Sequence, residues 1–269
     1  MGVRRYDVCM ELLLTALAAA AASSATLISG FGLSTALVPV FALYFPLPLA
    51  ISAVAVVHLL NSIFKVGIMR NEVDWPVAFR FGLPAAAAAL LGATLLGALG
   101  EAEPLARYSI GESSFQITPL KLVVGGVILA LVALELSPRA TTLHISPSAL
   151  PFGGILSGFF GGLTGNQGVL RSAFLLQLRL SPARFAATGA AGAAFVDLAR
   201  LAVYGSGASA AVLENAGPLR DALIVATLAA VAGALGGRQL VRVISSALLR
   251  RIVASSMLAV ATLMVTGIV

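Results

Sequence analysis

Apolar residues run along this chain in long blocks, separated by short polar or glycine-rich breaks. The first block covers about residues 10–29, and a shorter one at 33–45 ends at Pro46 and Pro48. Further blocks follow at 49–69, 77–99, 120–136, 149–163, 168–180, 183–204, 219–235 and 251–269. Most approach the roughly 20 residues that an α-helix needs to cross a bilayer. The pattern predicts an all-α polytopic membrane protein of about eight or nine segments with short loops. Between Gly100 and Pro119 lies an acidic, polar loop with Glu101, Glu103 and Glu112, whose Tyr108-Ser109-Ile110-Gly111-Glu112 predicts a small hairpin. Arg alternates with apolar residues over 238–250, which predicts an interfacial helix or a cytoplasmic helix end. Arg4 and Arg5 before the first block give it the look of a signal peptide. We expect it to be retained, because the motif that ends it recurs later.

That recurrence changes the expected fold. Leu27-Ile28-Ser29-Gly30-Phe31-Gly32 matches Ile155-Leu156-Ser157-Gly158-Phe159-Phe160, and Phe45-Pro46-Leu47-Pro48-Leu49-Ala50 matches Arg179-Leu180-Ser181-Pro182-Ala183-Arg184. Each half has an apolar run, a glycine break, a short apolar piece, a proline-marked turn and a long span with polar residues. The second half holds about six extra residues around Gly161 to Gln167. We therefore expect two transmembrane repeats, residues 1–137 and 138–269, with the substrate site where they meet. Helix breaks are expected at Gly30 and Gly32 in the first, and at Gly162, Gly165 and Gly168 in the second.

Composition agrees with the pattern. The chain has 269 residues, 59% hydrophobic and only 10% charged, where a soluble domain carries about 25% charged residues. A water-soluble globule and a disordered chain are both excluded. The formal net charge is +6, but the basic residues sit mostly between apolar spans, so they report topology and not nucleic-acid binding. If each glycine-broken pair is a re-entrant hairpin, the repeats are inverted and the N-terminus lies outside. Arg70, Arg80, Arg139, Arg179, Arg184, Arg238, Arg242, Arg250 and Arg251 are then inside, against Arg4, Arg5, Arg107, Lys121 and Arg220 outside, nine to five. A parallel arrangement gives six inside against eight outside. The positive-inside rule favours inversion. One cysteine, Cys9, and two histidines suggest no disulfide, no metal site and no cofactor.

A charge at the bilayer centre costs about 2.5–3.5 kcal/mol on insertion scales, so the embedded polar residues are the informative ones. His58, Asn61 and Lys65 share one helical stripe in the first half, and Asp197 and Arg200 are neighbours at i and i+3 in the second. Two readings stand for each group: His58 and Asn61 line the site, or are helix-packing glue. Asp197 and Arg200 form a structural ion pair, or Asp197 orients Arg200 or switches a proton with His58. Lys65 faces the site, or snorkels to the interface. The densest signal is Gly161-Gly162-Leu163-Thr164-Gly165-Asn166-Gln167-Gly168-Val169-Leu170-Arg171-Ser172. Such a break aims backbone N–H groups at one spot and favours an anion. Asn166 and Gln167 add donors, and Arg171 can hold two oxygens of an oxyanion at once. The alternative is a glycine hinge whose Arg171 neutralises a carboxylate. Expected substrate contacts are Asn166, Gln167, Arg171, His58, Asn61, Lys65 and Arg200. Any proton coupling would fall to His58 and Asp197.

Ser29-Gly30-Phe31-Gly32, Leu37-Val38-Pro39, Asn71-Glu72-Val73-Asp74-Trp75 before a Gly/Ala-rich span, and the second-half string from Gly161 to Phe174 with Asp197-Leu198-Ala199-Arg200-Leu201 resemble the TauE/SafE sulfite-exporter family. The resemblance runs from about Leu13 to Ile268. It implies a prokaryotic inner-membrane transporter of sulfite, sulfoacetate, isethionate or another organosulfonate, usually an exporter. Two departures bear on the site: Asn166-Gln167 interrupts the second glycine-rich run, and the first reads Gly32-Leu33-Ser34-Thr35. The rivals are an anion channel and a carrier of a non-sulfur organic anion. An intramembrane enzyme is disfavoured, since the chain has no H-E-x-x-H, no G-x-S-x-G and no evident nucleophile–base pair.

Overall fold

The computed structural model describes residues 3–29, 32–111, 113–136, 146–207, 216–243 and 246–268. They form α1 (Val3–Ser29), α2 (Leu33–Ala42), α3 (Leu47–Ile68), α4 (Trp75–Gly100), β1 (Ala106–Ile110), β2 (Ser113–Ile117) and α5 (Pro119–Leu136) in the first half. The second half has α6 (Leu150–Thr164), α7 (Gly168–Leu175), α8 (Pro182–Gly207), α9 (Ala216–Val243) and α10 (Ser246–Val265). The protein is an all-α polytopic membrane protein. Among the described residues four helices, Leu47–Ile68, Trp75–Gly100, Pro182–Gly205 and Gly217–Gly236, are long and apolar enough to cross a membrane by length and composition, and Cys9–Ser24, Leu33–Ala42, Pro119–Leu134, Gly168–Leu178 and Ala254–Val265 are shorter apolar stretches.

Proline sets several of the helix starts. Pro48, Pro76 and Pro151 occupy first-turn positions of α3, α4 and α6, where a missing N–H costs no helical hydrogen bond. Asp74 caps α4 by accepting from the Val77 N–H at 3.2 Å. The expected hairpin is present, with β1 and β2 antiparallel, Tyr108 opposite Phe115, and Gly111 at φ 61° in the turn. Its Glu112 lies outside the described residues, as does Gly30. The Arg-rich stretch 238–250 is not a separate interfacial helix. Its first part continues α9 to Val243 and its last part begins α10 at Ser246.

The glycine-broken pairs double back on themselves. Phe174, near the end of α7, lies against Gly153, near the start of α6. Midway along the pair the Ser157 hydroxyl donates to the Gln167 carbonyl at 2.8 Å. In the first half Phe41, Tyr44 and Phe45, at and beyond the end of α2, share a pocket with Glu11, Leu12 and Thr15 of α1. The two hairpins have their bases at different helix ends. Leu150, Phe174 and Leu175 cluster with Phe81 and Phe185 near the starts of α4 and α8, whereas the α1–α2 base meets Pro218, Asp221 and Ala222 at the start of α9.

The turn residue of α6–α7 is Gly165, in the left-handed region at φ 78°, with Gly168 opening α7; Gly32 precedes α2 at φ 134°. Gly162 is not a break. It lies inside α6, where Gly154, Gly158 and Gly162 recur every fourth residue and face the carbonyl oxygens of Phe81, Ala85 and Ala89 of α4. Bare glycines let two backbones touch, the small-residue packing that membrane helices use in place of a hydrophobic driving force. On the other side of the molecule Gly233 of α9 abuts the Ala20 carbonyl of α1, and the Ser24 hydroxyl donates to the Gly233 carbonyl at 2.9 Å. The first helix of each half thus packs on the fourth helix of the other. Large apolar side chains such as Leu83, Leu91 and Leu228 face outward, as lipid solvation requires.

Gly158→Ala should destabilise the protein by about 1–3 kcal/mol through overpacking on α4. Gly67→Ala, where a Cβ meets nothing within 4 Å, should be neutral or slightly stabilising. Thermal unfolding in one detergent compares the two, and equal melting temperatures would rule out this packing.

Candidate functional site

The polar stripes of α3 and α8 meet at the centre of the fold. On α3, His58, Asn61, Ser62 and Lys65 stand at i, i+3, i+4 and i+7, all buried. On α8, Asp197, Arg200 and Tyr204 form the facing stripe, with Asp197 and Arg200 both 0% exposed. The helix period brings these residues to the contact, where burial leaves them largely dependent on one another for hydrogen bonds.

Asp197 is the hub. Its Oδ2 lies 2.6 Å from His58 Nδ1. Its Oδ1 accepts from Gln167 Nε2 at 3.0 Å and from Arg200 Nε and Nη2 at 3.0 and 2.7 Å. Arg200 Nη1 donates to the Gly161 carbonyl at 3.2 Å, and the Tyr204 hydroxyl donates to the Gly162 carbonyl. One carboxylate therefore joins α3, α8 and the tip of the α6–α7 hairpin. The network also gives α6 two side-chain donors for carbonyls near its C-terminal end. Arg200 is held by Asp197 and a backbone carbonyl, and it does not line the cavity described next.

Beside this network is a small cavity of about 20 Å³ between α3, α7 and α8, room for roughly one water. Its polar lining is His58, Asn61, Ser62 and Lys65 from α3 and Arg171 from α7; Ala186, Ala190 and Ala193 of α8 supply the rest. Two basic side chains and no acid stand in this lining. Lys65 is 5% exposed, so it turns inward and does not snorkel to an interface. Arg171, one turn into α7, lies over Gly189 of α8, its Nε 3.6 Å from where a Cβ would stand.

The expected contacts thus divide into two groups. His58, Asn61, Lys65 and Arg171 come together around the cavity. Gln167 and Arg200 sit in the Asp197 network behind it, and Asn166 in the hairpin turn. Asn166 closes the hairpin turn through Thr164, its N–H donating to Oγ1 at 3.2 Å and its Nδ2 to the carbonyl at 3.1 Å. Asn166 Oδ1 and Gln167 Oε1 are buried and accept no hydrogen bond. The sequence reading missed Ser62, Tyr204 and the alanine wall. Ser62 and Tyr204 were legible as i+4 neighbours of His58 and Arg200. The alanines were not, because alanine fills every span of this chain. Among the described residues no cluster of His, Cys, Asp and Glu could hold a metal.

Fold and site define a multi-pass membrane protein with a buried, positively charged polar centre. The family model described as sulfite exporter TauE/SafE matches residues 14–264. The chain belongs to this family of membrane transporters. No curated protein and no solved structure matches it.

Removing the hub leaves a buried guanidinium without its carboxylate, a change that costs about 3–5 kcal/mol in buried pairs. Asp197→Ala should therefore unfold at a markedly lower temperature than wild type. Asp197→Ala combined with Arg200→Met should recover part of the loss, and a fully additive double variant would refute the coupling.

Proposed function

We propose that this protein is a secondary transporter that carries a small sulfur-containing anion, sulfite or an organosulfonate, across the cytoplasmic membrane of a prokaryotic cell by alternating access. The observation that carries this reading is the cavity flanked by Lys65 of α3 and Arg171 of α7, one basic group from each half and no acid in the lining. An anion there gains two charge-assisted contacts, with the Asn61 amide, the Ser62 hydroxyl and the His58 ring as further partners. Asn166, Gln167 and Arg200 act behind the anion by holding the hairpin tip that presents Arg171. Asp197 orients Arg200 and His58, and any coupling proton would be exchanged through the His58–Asp197 pair.

The two doubled-back hairpins, based at different helix ends, support two inverted repeats divided near residue 137. Carriers of this construction bind substrate between the repeats and rock one against the other. Arg179 follows α7, and Arg80 and Arg184 adjoin Phe81 and Phe185 of the cluster at the base of α6–α7; by the positive-inside rule that end faces the cytoplasm. The cavity residues Lys65 and Ala186 lie on the side of this end, where α3 finishes and α8 begins. An anion would be loaded from the cytoplasm, which is the direction of export.

The test is sulfite counterflow in proteoliposomes. Saturable exchange is expected, with Arg171→Ala and Lys65→Ala each lowering the initial rate at least about tenfold, the worth of one charge-assisted contact. Both variants should still elute as monodisperse protein. Unchanged rates in folded variants would sink the proposed site, and flux that never saturates would point to a channel.

A further inference from the structure

The cavity is polar on two walls and apolar on the third. All of its polar groups come from α3 and α7, while α8 contributes three methyl groups, Ala186, Ala190 and Ala193, at i, i+4 and i+7 on one face. As it stands the space holds roughly one water, so an anion enters only as α3, α7 and α8 move apart, and it then meets a wall from each. The chemistry of the α8 wall therefore decides which anions fit.

An anion with oxygens in every direction, such as sulfate or phosphate, would press at least one of them against methyl groups. That oxygen would lose its water and gain no donor, a desolvation that nothing in the wall offsets. A pyramidal SO₃ head has three oxygens on one side and none on the other. Its oxygens can face Lys65, Arg171 and Asn61 while its fourth direction faces the alanines. In sulfite that direction holds a lone pair. In a sulfonate it holds a carbon, which gains by leaving water.

We propose that Ala186, Ala190 and Ala193 form the specificity wall of this transporter, selecting a short-chain sulfonate over bare sulfite and both over four-oxygen anions. This rests on the reading that Lys65 and Arg171 hold the anion head. The alanines make no charge contact and act by shape and lack of donors. Ala190 is the middle of the three, so enlarging it fills the place of the carbon and leaves the basic walls as they are.

The experiment is a competition series on the purified full-length protein in detergent, read by calorimetry, with sulfate, sulfite, methanesulfonate and ethanesulfonate. The expected order of affinity is ethanesulfonate, methanesulfonate, sulfite, sulfate, with each added carbon worth about fourfold and sulfate at least about tenfold weaker than sulfite. Ala190→Leu should invert the top of the series, so that sulfite binds tighter than ethanesulfonate. Sulfate binding as tightly as the sulfonates, or sulfite binding tighter than both sulfonates in the wild type, would overturn the wall while leaving the anion site in place. If none of the four binds, or if Arg171→Ala binds all four as the wild type does, the anion site itself falls. The wild-type series decides the wall without the variant, should Ala190→Leu fail to fold.

Discussion

A single buried carboxylate organises the centre of this protein. Asp197 is fully enclosed, and moving such a charge out of water costs several kcal/mol even after relaxation. It is tolerated because both oxygens are occupied, one by His58 and the other by Gln167 and Arg200. Those partners sit on three different elements, so the need to satisfy one charge fixes three helical pieces against each other. The position of α7 follows, because Gln167 immediately precedes it, and with α7 comes Arg171. The basic wall of the cavity is thus placed by a group that does not line it.

The same logic separates three basic residues that composition alone treats alike. Arg200 has a carboxylate and a carbonyl within hydrogen-bond distance and serves the fold. Lys65 and Arg171 are brought to a cavity whose lining holds no carboxylate. In a low-dielectric interior two neighbouring cations repel strongly, and an anion between them relieves that repulsion. On the proposed reading the charge that fixes the fold, Asp197 with Arg200, and the charges that meet the anion, Lys65 and Arg171, are different groups, and the first set positions the second.

Much of this was legible in the sequence, and what was not has physical causes. The helical blocks, the hairpin at Gly111 and the stripe of His58, Asn61 and Lys65 follow from period and turn chemistry. The family resemblance rested on strings such as Gly161 to Phe174, and the family match covers that region. Gly162 misled because glycine density marks both breaks and close helix contacts. Local sequence cannot tell which, since the deciding neighbour, Ala89, lies more than 70 residues away. For the Arg238–Arg250 stretch the sequence left a surface helix and a helix end open, since alternating charge and apolar residues suit both, and the fold gives it to the end of α9 and the start of α10. Gln167 and Arg200 were read as ligands because donors beside a break suit an anion. Only the fold reveals that Asp197 already occupies them.

The glycine ladder and the alanine wall show small residues used for opposite ends. At Gly154, Gly158 and Gly162 the absent side chain lets α6 touch the α4 backbone, so nothing remains between the helices. At Ala186, Ala190 and Ala193 the short side chains of α8 line a gap shared with α3 and α7. Arg171 spans the two regimes, crossing bare Gly189 to reach the edge of the gap. In a bilayer, where lipid offers apolar side chains no reason to associate, such differences of one carbon decide which helices touch and which leave space. The candidate site thus lies where α6 packs directly on the α4 backbone on one side and α7 leaves a gap lined by three α8 methyl groups on the other.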